Sequence, residues 1–214
     1  MNWRFDNKFF TSLNKLIDMF LLTLLWFLFS LPIFTIGASS TAMYYTVNKV
    51  LKRETGYLWK EYWGSFKSNF KQATVIWIIF LAFALWMVAD FFILRQFAIV
   101  GYGWGKAYGV FFVSLILEII VWMYVYPNIA RFENTNLQIV KNAAWMAVIH
   151  LPQTLIMVVA LIALALLVYA WPVTILIVPT IYIGIKNLVM EKIFRRYMSK
   201  EDLEKEEKKD QEIR

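Results

Sequence analysis

Apolar residues along this chain fall into blocks of about 20, divided by shorter stretches where charge and hydroxyl groups gather. About 20 helical residues cross the roughly 30 Å of a bilayer's hydrocarbon. Inside hydrocarbon the backbone must satisfy its own hydrogen bonds, which makes each block a helix. Five blocks run near Leu16–Ile36, Thr74–Leu94, Tyr108–Tyr126, Leu151–Tyr169 and Val173–Met190. The pattern predicts an all-α fold: a polytopic membrane helix bundle of five spans plus a sixth, with interfacial amphipathic helices. Residues 1–190 form a transmembrane helical domain and 191–214 a charged cytoplasmic tail.

The sixth span comes from "LFSLPIFTIGASSTAMYY", residues 28–45. The apolar run breaks at Pro32, and small residues follow. Pro32 and Gly37 suit a tight outer turn, after which residues 36–52 return as a less apolar helix. Small side chains let helix backbones approach closely in membranes. Lysine and arginine counts bear on this choice, because cytoplasmic loops are enriched in them. Lys49, Lys52, Arg53, Lys60, Lys67 and Lys71 crowd the segment after the turn, and nine more cations lie from Lys186 onward. Both regions are therefore expected inside, with the 96–107 loop and the 170–172 turn outside. Six spans also place the basic leader (Arg4, Lys8, Lys15) inside; five spans leave it outside.

Residues 57–71, YLWKEYWGSFKSNFK, carry Trp59, Tyr62 or Trp63, Phe66 and Phe70 at helical spacing, with Lys60, Lys67 and Lys71 on the other face. This predicts an interfacial helix with aromatics at the headgroup boundary and cations toward anionic lipid. The same face is a candidate docking surface for a partner. Residues 136–149 form a weaker connector on the same side. The tail 191–214 holds eight acids and eight bases, the pattern of a solvated helix with i,i+4 pairs. Lys192, Arg195 and Arg196 read as a stop signal at its membrane-proximal side.

Composition narrows the chemistry. The net charge of +7 would suggest nucleic acid on a soluble domain, but 60% hydrophobic residues make membrane loops the better account of it, and no nucleic-acid partner is expected. Without cysteine and with one histidine, thiol chemistry and His/Cys zinc sites are excluded. Gly101, Gly103, Gly105 and Gly109 lack the spacing of a phosphate loop and read as an outer turn. No catalytic triad, metal motif or paired-carboxylate motif is present, so no enzyme activity and no cofactor are expected. Three carboxylates remain. Asp18 and Asp90 lie near span ends, while Glu118 sits near the middle of its span. An ionisable group at that depth faces the protein interior or a wet cavity. It serves either as a proton, cation or solute ligand, or as a helix–helix hydrogen bond. Lys186 near the inner end of the last span is expected to snorkel outward. His150, at a span entrance, reads as interfacial.

"NKLIDMFLLTLLWFLFSLPIFTIGASSTAMYYTVNKVLKRETG", "SFKSNFKQATVIW", "YVYPNIARFENT" and "VKNAAWMAVIHLPQTL" together resemble the YesL-like family. The resemblance covers most of residues 3–190, carried by Leu31-Pro32…Thr35-Ile36-Gly37-Ala38 and Phe66…Asn69-Phe70-Lys71-Gln72-Ala73. Such proteins are multi-pass membrane proteins of Gram-positive bacteria that tend to accompany ABC-type carbohydrate importers. The resemblance implies an integral cell-membrane protein that is an accessory subunit or partner of such an importer. It supplies no ligand residues. Ile149-His150-Leu151-Pro152 also matches the end of the coupling loop of type I ABC permeases, but that loop's acidic residue and glycine are missing. Two other functions stay open: an independent small-solute transporter using Glu118, and a membrane scaffold or sensor.

Overall fold

The computed structural model describes residues 7–198, with side chains from Leu13 onward. Every regular element among them is helical. The α-helices are α1 (Asn7–Ser30), α2 (Ile36–Thr46), α3 (Leu58–Ile99), α4 (Tyr108–Arg131), α5 (Asn136–Ile149), α6 (Leu151–Ala170) and α7 (Val178–Phe194). Four helices are long and apolar enough to cross a membrane: Leu13–Ser30, Leu58–Ile99, the Gly103–Arg131 stretch that contains α4, and Leu151–Ala170. The expected last span, Val173–Met190, is not among them. Its first residues wind into a 3₁₀ turn, Pro172–Leu176, and α7 proper is 17 residues long.

The chain does reverse after Pro32. A 3₁₀ turn at Ile33–Thr35 is held by the Thr35 hydroxyl, which donates to the carbonyls of Phe29 and Pro32 at 2.6 Å. α2 then runs back along α1: Ser39 donates to the Trp26 carbonyl at 3.0 Å and Trp26 Nε1 to Ser40 Oγ at 3.1 Å. The small residues explain the close fit. A Cβ added at Gly37 would lie 2.6 Å from the Ala73 carbonyl oxygen and 2.7 Å from Trp77 Cβ. Gly37 through Tyr44 are buried or nearly so, wrapped by protein. Past Thr46 the helix widens to a π-helical turn, Val47–Lys52, and the connection to α3 passes through left-handed Glu54 (φ 56°) and Gly56 (φ 82°).

The separate interfacial helix expected at 57–71 and the span expected at 74–94 are one rod, the 42-residue α3. At about 1.5 Å per residue that is roughly 63 Å, about twice the hydrocarbon thickness. The aromatic ladder does not line the headgroups as a free face. Tyr62 and Phe66 are buried, and Phe29 of α1 packs on Trp59, Tyr62, Trp63 and Phe66 at 5.0–6.1 Å between ring centroids. Periodicity located the apolar face correctly, but the face meets α1. Ser65, also on this stretch, is buried with it.

Trp77 donates to the Ile33 carbonyl at 2.7 Å, so the α1–α2 turn lies level with the middle of α3. Beyond it α3 and α4 continue as an antiparallel pair, joined by Trp77–Trp122, Phe80–Trp122, Trp86–Phe111 and Phe91–Tyr108 contacts. The pair closes over the 3₁₀ turn Gly103–Ala107. Most of the buried core lies at the opposite end, where α2, the start of α3, the end of α4, α5 and the end of α7 meet.

Candidate functional site

A buried polar network marks that core. Four elements deliver it. α2 supplies Tyr44 near its end and the π turn carries Asn48; α4 supplies Tyr126 and Arg131 around Pro127; α7 supplies Tyr182, Lys186, Asn187 and Glu191. The extra residue of a π turn re-aims side chains, which is why such turns recur at functional sites. Glu191 is the hub. Its Oε1 accepts from the Tyr44 hydroxyl at 3.3 Å and from Asn48 Nδ2 at 3.2 Å, and its Oε2 lies 3.4 Å from an Arg131 guanidinium nitrogen. A buried carboxylate is tolerable only when paired and hydrogen-bonded in this way. Lys52 reaches in from the surface to donate to Asn187 Oδ1 at 3.2 Å.

Lys186 does not snorkel. It is fully buried, and its ammonium sits 3.6 Å from the centroid of the Tyr126 ring with no hydrogen-bond partner among the described residues. The helix turns it inward onto α4, so the flexible stem cannot reach the surface. The Tyr182 hydroxyl and Asn187 Nδ2 are likewise buried without a partner.

Outside the network, a polar groove of about 750 Å³ runs between the first turns of α3 and the α4–α5 junction. Ser68, Asn69, Gln72, Arg131, Glu133 and Gln138 line it. Gln72 donates to the Asn134 carbonyl at 2.7 Å and ties its two walls together. A capping box fixes the start of α5, with Gln138 accepting from the Thr135 amide at 3.1 Å and hydroxyl at 3.0 Å. Next to the groove, Lys49 bonds Glu61 at 2.7 Å and the Tyr45 hydroxyl at 3.3 Å. Lys60, Lys67 and Lys71 are exposed on α3, with Lys67 over the Trp63 ring at 4.9 Å. Trp59 is 52% exposed, whereas Trp63 and Phe70 are half-buried.

The three carboxylates read from the sequence are not brought together. Asp18 is on α1, Asp90 on the outer part of α3 and Glu118 on α4, each half-buried. Both Glu118 oxygens are shielded and without a hydrogen-bond partner among the described residues. His150 is more than interfacial. It is buried at the break between α5 and α6, within 3.1 Å of the Tyr197 hydroxyl. Burial, and then the charge of Arg196, hold its pKa below the usual histidine value. The Ile149–Pro152 stretch is this same break. Lys192, Arg195 and Arg196 are exposed, Arg196 near His150, and the charged tail from 199 onward lies outside the described residues.

Sequence reasoning did not single out Tyr44, Tyr126, Arg131 or Glu191. One signal was available: Tyr182, Lys186 and Asn187 fall within an apolar run, with Glu191 four residues past Asn187. That i,i+4 spacing puts polar groups on adjoining turns of one helix.

In a comparison with known families, the family described as a protein of unknown function, DUF624, matches residues 19–91, from within α1 to the outer part of α3. That domain occurs in YesL-like proteins, and the matched stretch covers the second half of α1, α2 and most of α3. Residues 124–135 and 140–155 lie beyond the matched stretch. No curated protein and no solved structure matches the chain.

Proposed function

We propose that the protein is a membrane-embedded partner of an ABC-type carbohydrate importer and that it docks through the polar groove between α3 and the α4–α5 junction. The groove carries the reading. It is large, lined by amide and hydroxyl side chains with both signs of charge, and built on rigid helices. Such a surface suits a protein loop better than an apolar solute. The resemblance to importer-associated YesL-like proteins supplies the kind of partner.

In this reading the chain crosses the bilayer six times and its charged end faces the cytoplasm. Two observations support it. Lys15 in the first half of α1 pairs with Glu54 after the π turn at 2.6 Å, so that half of α1 is at the same end as the cationic connector. Lys192, Arg195 and Arg196 stand there too. α2 with its π turn, and α7 with the 3₁₀ turn before it, are then the two crossings buried more by protein than by lipid.

Affinity purification from membranes in mild detergent tests the proposal. Importer subunits are expected to co-purify with the wild type and to be lost with Asn69→Ala/Gln138→Ala, both at the groove. Recovery of no importer subunit, with sugar uptake unchanged in a deletion strain, contradicts it. A second reading rests on the unpartnered Glu118: an independent small-solute transporter, in which Glu118→Gln abolishes uptake into proteoliposomes. Full activity of that variant rejects it.

A further inference from the structure

The polar groove has a cationic edge. Lys60, Gly64, Lys67 and Lys71 recur on α3 at i, i+4, i+7 and i+11, which makes them one stripe of the helix. Gly64 lines the groove, and nothing lies within 4 Å of a Cβ placed there, so the stripe borders open space. All three lysines are exposed, and none has a carboxylate within ion-pair distance among the described residues. Glu61, also in the lining, is already held by Lys49 at 2.7 Å. At about 1.5 Å per residue the stripe is roughly 16 Å long, and it runs with the axis of a helix long enough to cross a membrane. Cations that serve lipid headgroups gather at one depth. Cations strung along the axis suit an extended acidic segment.

Such a segment starts beside the groove. The chain continues past α7 to Met198, whose Sδ accepts from Arg131 Nη2 at 3.6 Å. Arg131 itself lines the groove. The sequence that follows, SKEDLEKEE at 199–207, carries five acids against two lysines. Nine residues reach up to about 30 Å when extended, enough to cross the groove and follow the stripe. A tethered segment meets such a surface at an effective concentration of about millimolar, ahead of any free acidic peptide.

We infer that residues 199–207 bind back across the groove, with their carboxylates on Lys60, Lys67 and Lys71. Lys200, two residues past Met198, falls beside Glu133, which is exposed on the α4–α5 wall. A partner that docks in the groove must first displace this strap. That consequence rests on the docking role proposed above; the contact itself does not.

Cross-linking of Gly64→Cys/Leu203→Cys with a short bis-maleimide tests the contact. The full chain is used without any importer, in vesicles of neutral lipid and in vesicles containing phosphatidylglycerol. A cross-link within one chain is expected in both, and none for Ala107→Cys/Leu203→Cys at the hairpin tip. Adding Lys60→Gln, Lys67→Gln and Lys71→Gln should lower the yield roughly threefold or more, the combined scale of three surface ion pairs. Salt at about 1 M, where the Debye length is about 3 Å, should do the same. These α3 positions are exposed, and an unchanged melting temperature of the variants confirms that folding is intact. An absent cross-link, an unchanged yield in the glutamine variant, or cross-links between chains only each overturns the inference. Cross-linking lost in phosphatidylglycerol assigns the lysines to headgroups and overturns it as well. Loss of importer capture with the cross-link intact rejects only the docking role.

Discussion

The two ends of α3 belong to different kinds of structure. Near its start, Tyr62, Ser65, Phe66, Ala73, Thr74 and Ile76 are buried, and α1, α2 and α4 close around them. Beyond Trp77 only Met87 is buried, and Ile78, Ile79, Leu85, Trp86, Phe92 and Ile93 are exposed. The same helix passes from a polar, hydrogen-bonded bundle into an aromatic hairpin whose outer face is apolar and which is long enough to cross a membrane. Between helices in lipid there is no hydrophobic drive to pack, so association relies on small residues, close contact and hydrogen bonds. The charged end has all three: Gly37 against Ala73, the Ser39–Tyr62 bond at 2.7 Å and the Glu191 hub. The outer hairpin is joined by ring contacts along its length and by Gly105 against the Ala98 backbone at its tip. Stability should therefore be concentrated at one end.

The largest effect is expected at the hub. Glu191→Ala removes the ion-pair partner of Arg131 and the acceptor that Tyr44 and Asn48 share in the interior, and losing one partner of a buried pair costs about 3–5 kcal/mol. Thermal unfolding in detergent should show a large fall in Tm, whereas Asp90→Asn on the outer hairpin should leave Tm nearly unchanged. Similar losses at both positions would break the comparison. Next comes backbone contact. Gly37→Ala forces α2 from α3 and should cost roughly 1–3 kcal/mol, while Gly109→Ala, with nothing within 4 Å of the added carbon, should stay within about 0.5 kcal/mol. Smaller still is the cap of α5, where Thr135→Ala should cost on the order of 1 kcal/mol.

The smallest is a pH effect at the α5–α6 break. Because His150 is held below its usual pKa of about 6.5, the unfolded chain takes up a proton first as pH falls. Stability should thus decline as pH drops through about 6.5 and level off below the native value. His150→Gln should remove that portion of the pH dependence in unfolding curves recorded between neutral and mildly acid pH. An unchanged slope would show that His150 carries no part of it.

Much of this architecture was legible. Hydropathy placed the spans around Thr74–Leu94, Tyr108–Tyr126 and Leu151–Tyr169 within long helices, and Pro32 followed by small residues marked the reversal. What failed did so for a physical reason. An aromatic stripe at Trp59, Tyr62, Phe66 and Phe70 specifies a buried face but not its cover, and lipid headgroups and the Phe29 ring satisfy the same periodicity. Lys186 was misread because snorkelling depends on a free route for the stem, and Tyr126 closes that route from a helix about 60 residues away. The Glu191 hub joins residues up to 147 positions apart, a separation that no local pattern encodes. Glu118 was singled out by its depth alone, and unlike Glu191 its carboxylate has no hydrogen-bond partner among the described residues.

Accessibility of engineered cysteines in whole cells tests the folded-back topology most directly, since the chain has no cysteine of its own. Asn14→Cys, Lys67→Cys and Gln138→Cys at the charged end, and Ala107→Cys at the hairpin tip, all replace residues outside the buried core. The account predicts that an impermeant thiol reagent labels position 107 in intact cells and reaches the other three only after permeabilisation. Labelling of position 14 from outside, with 67 and 138 protected, would contradict it.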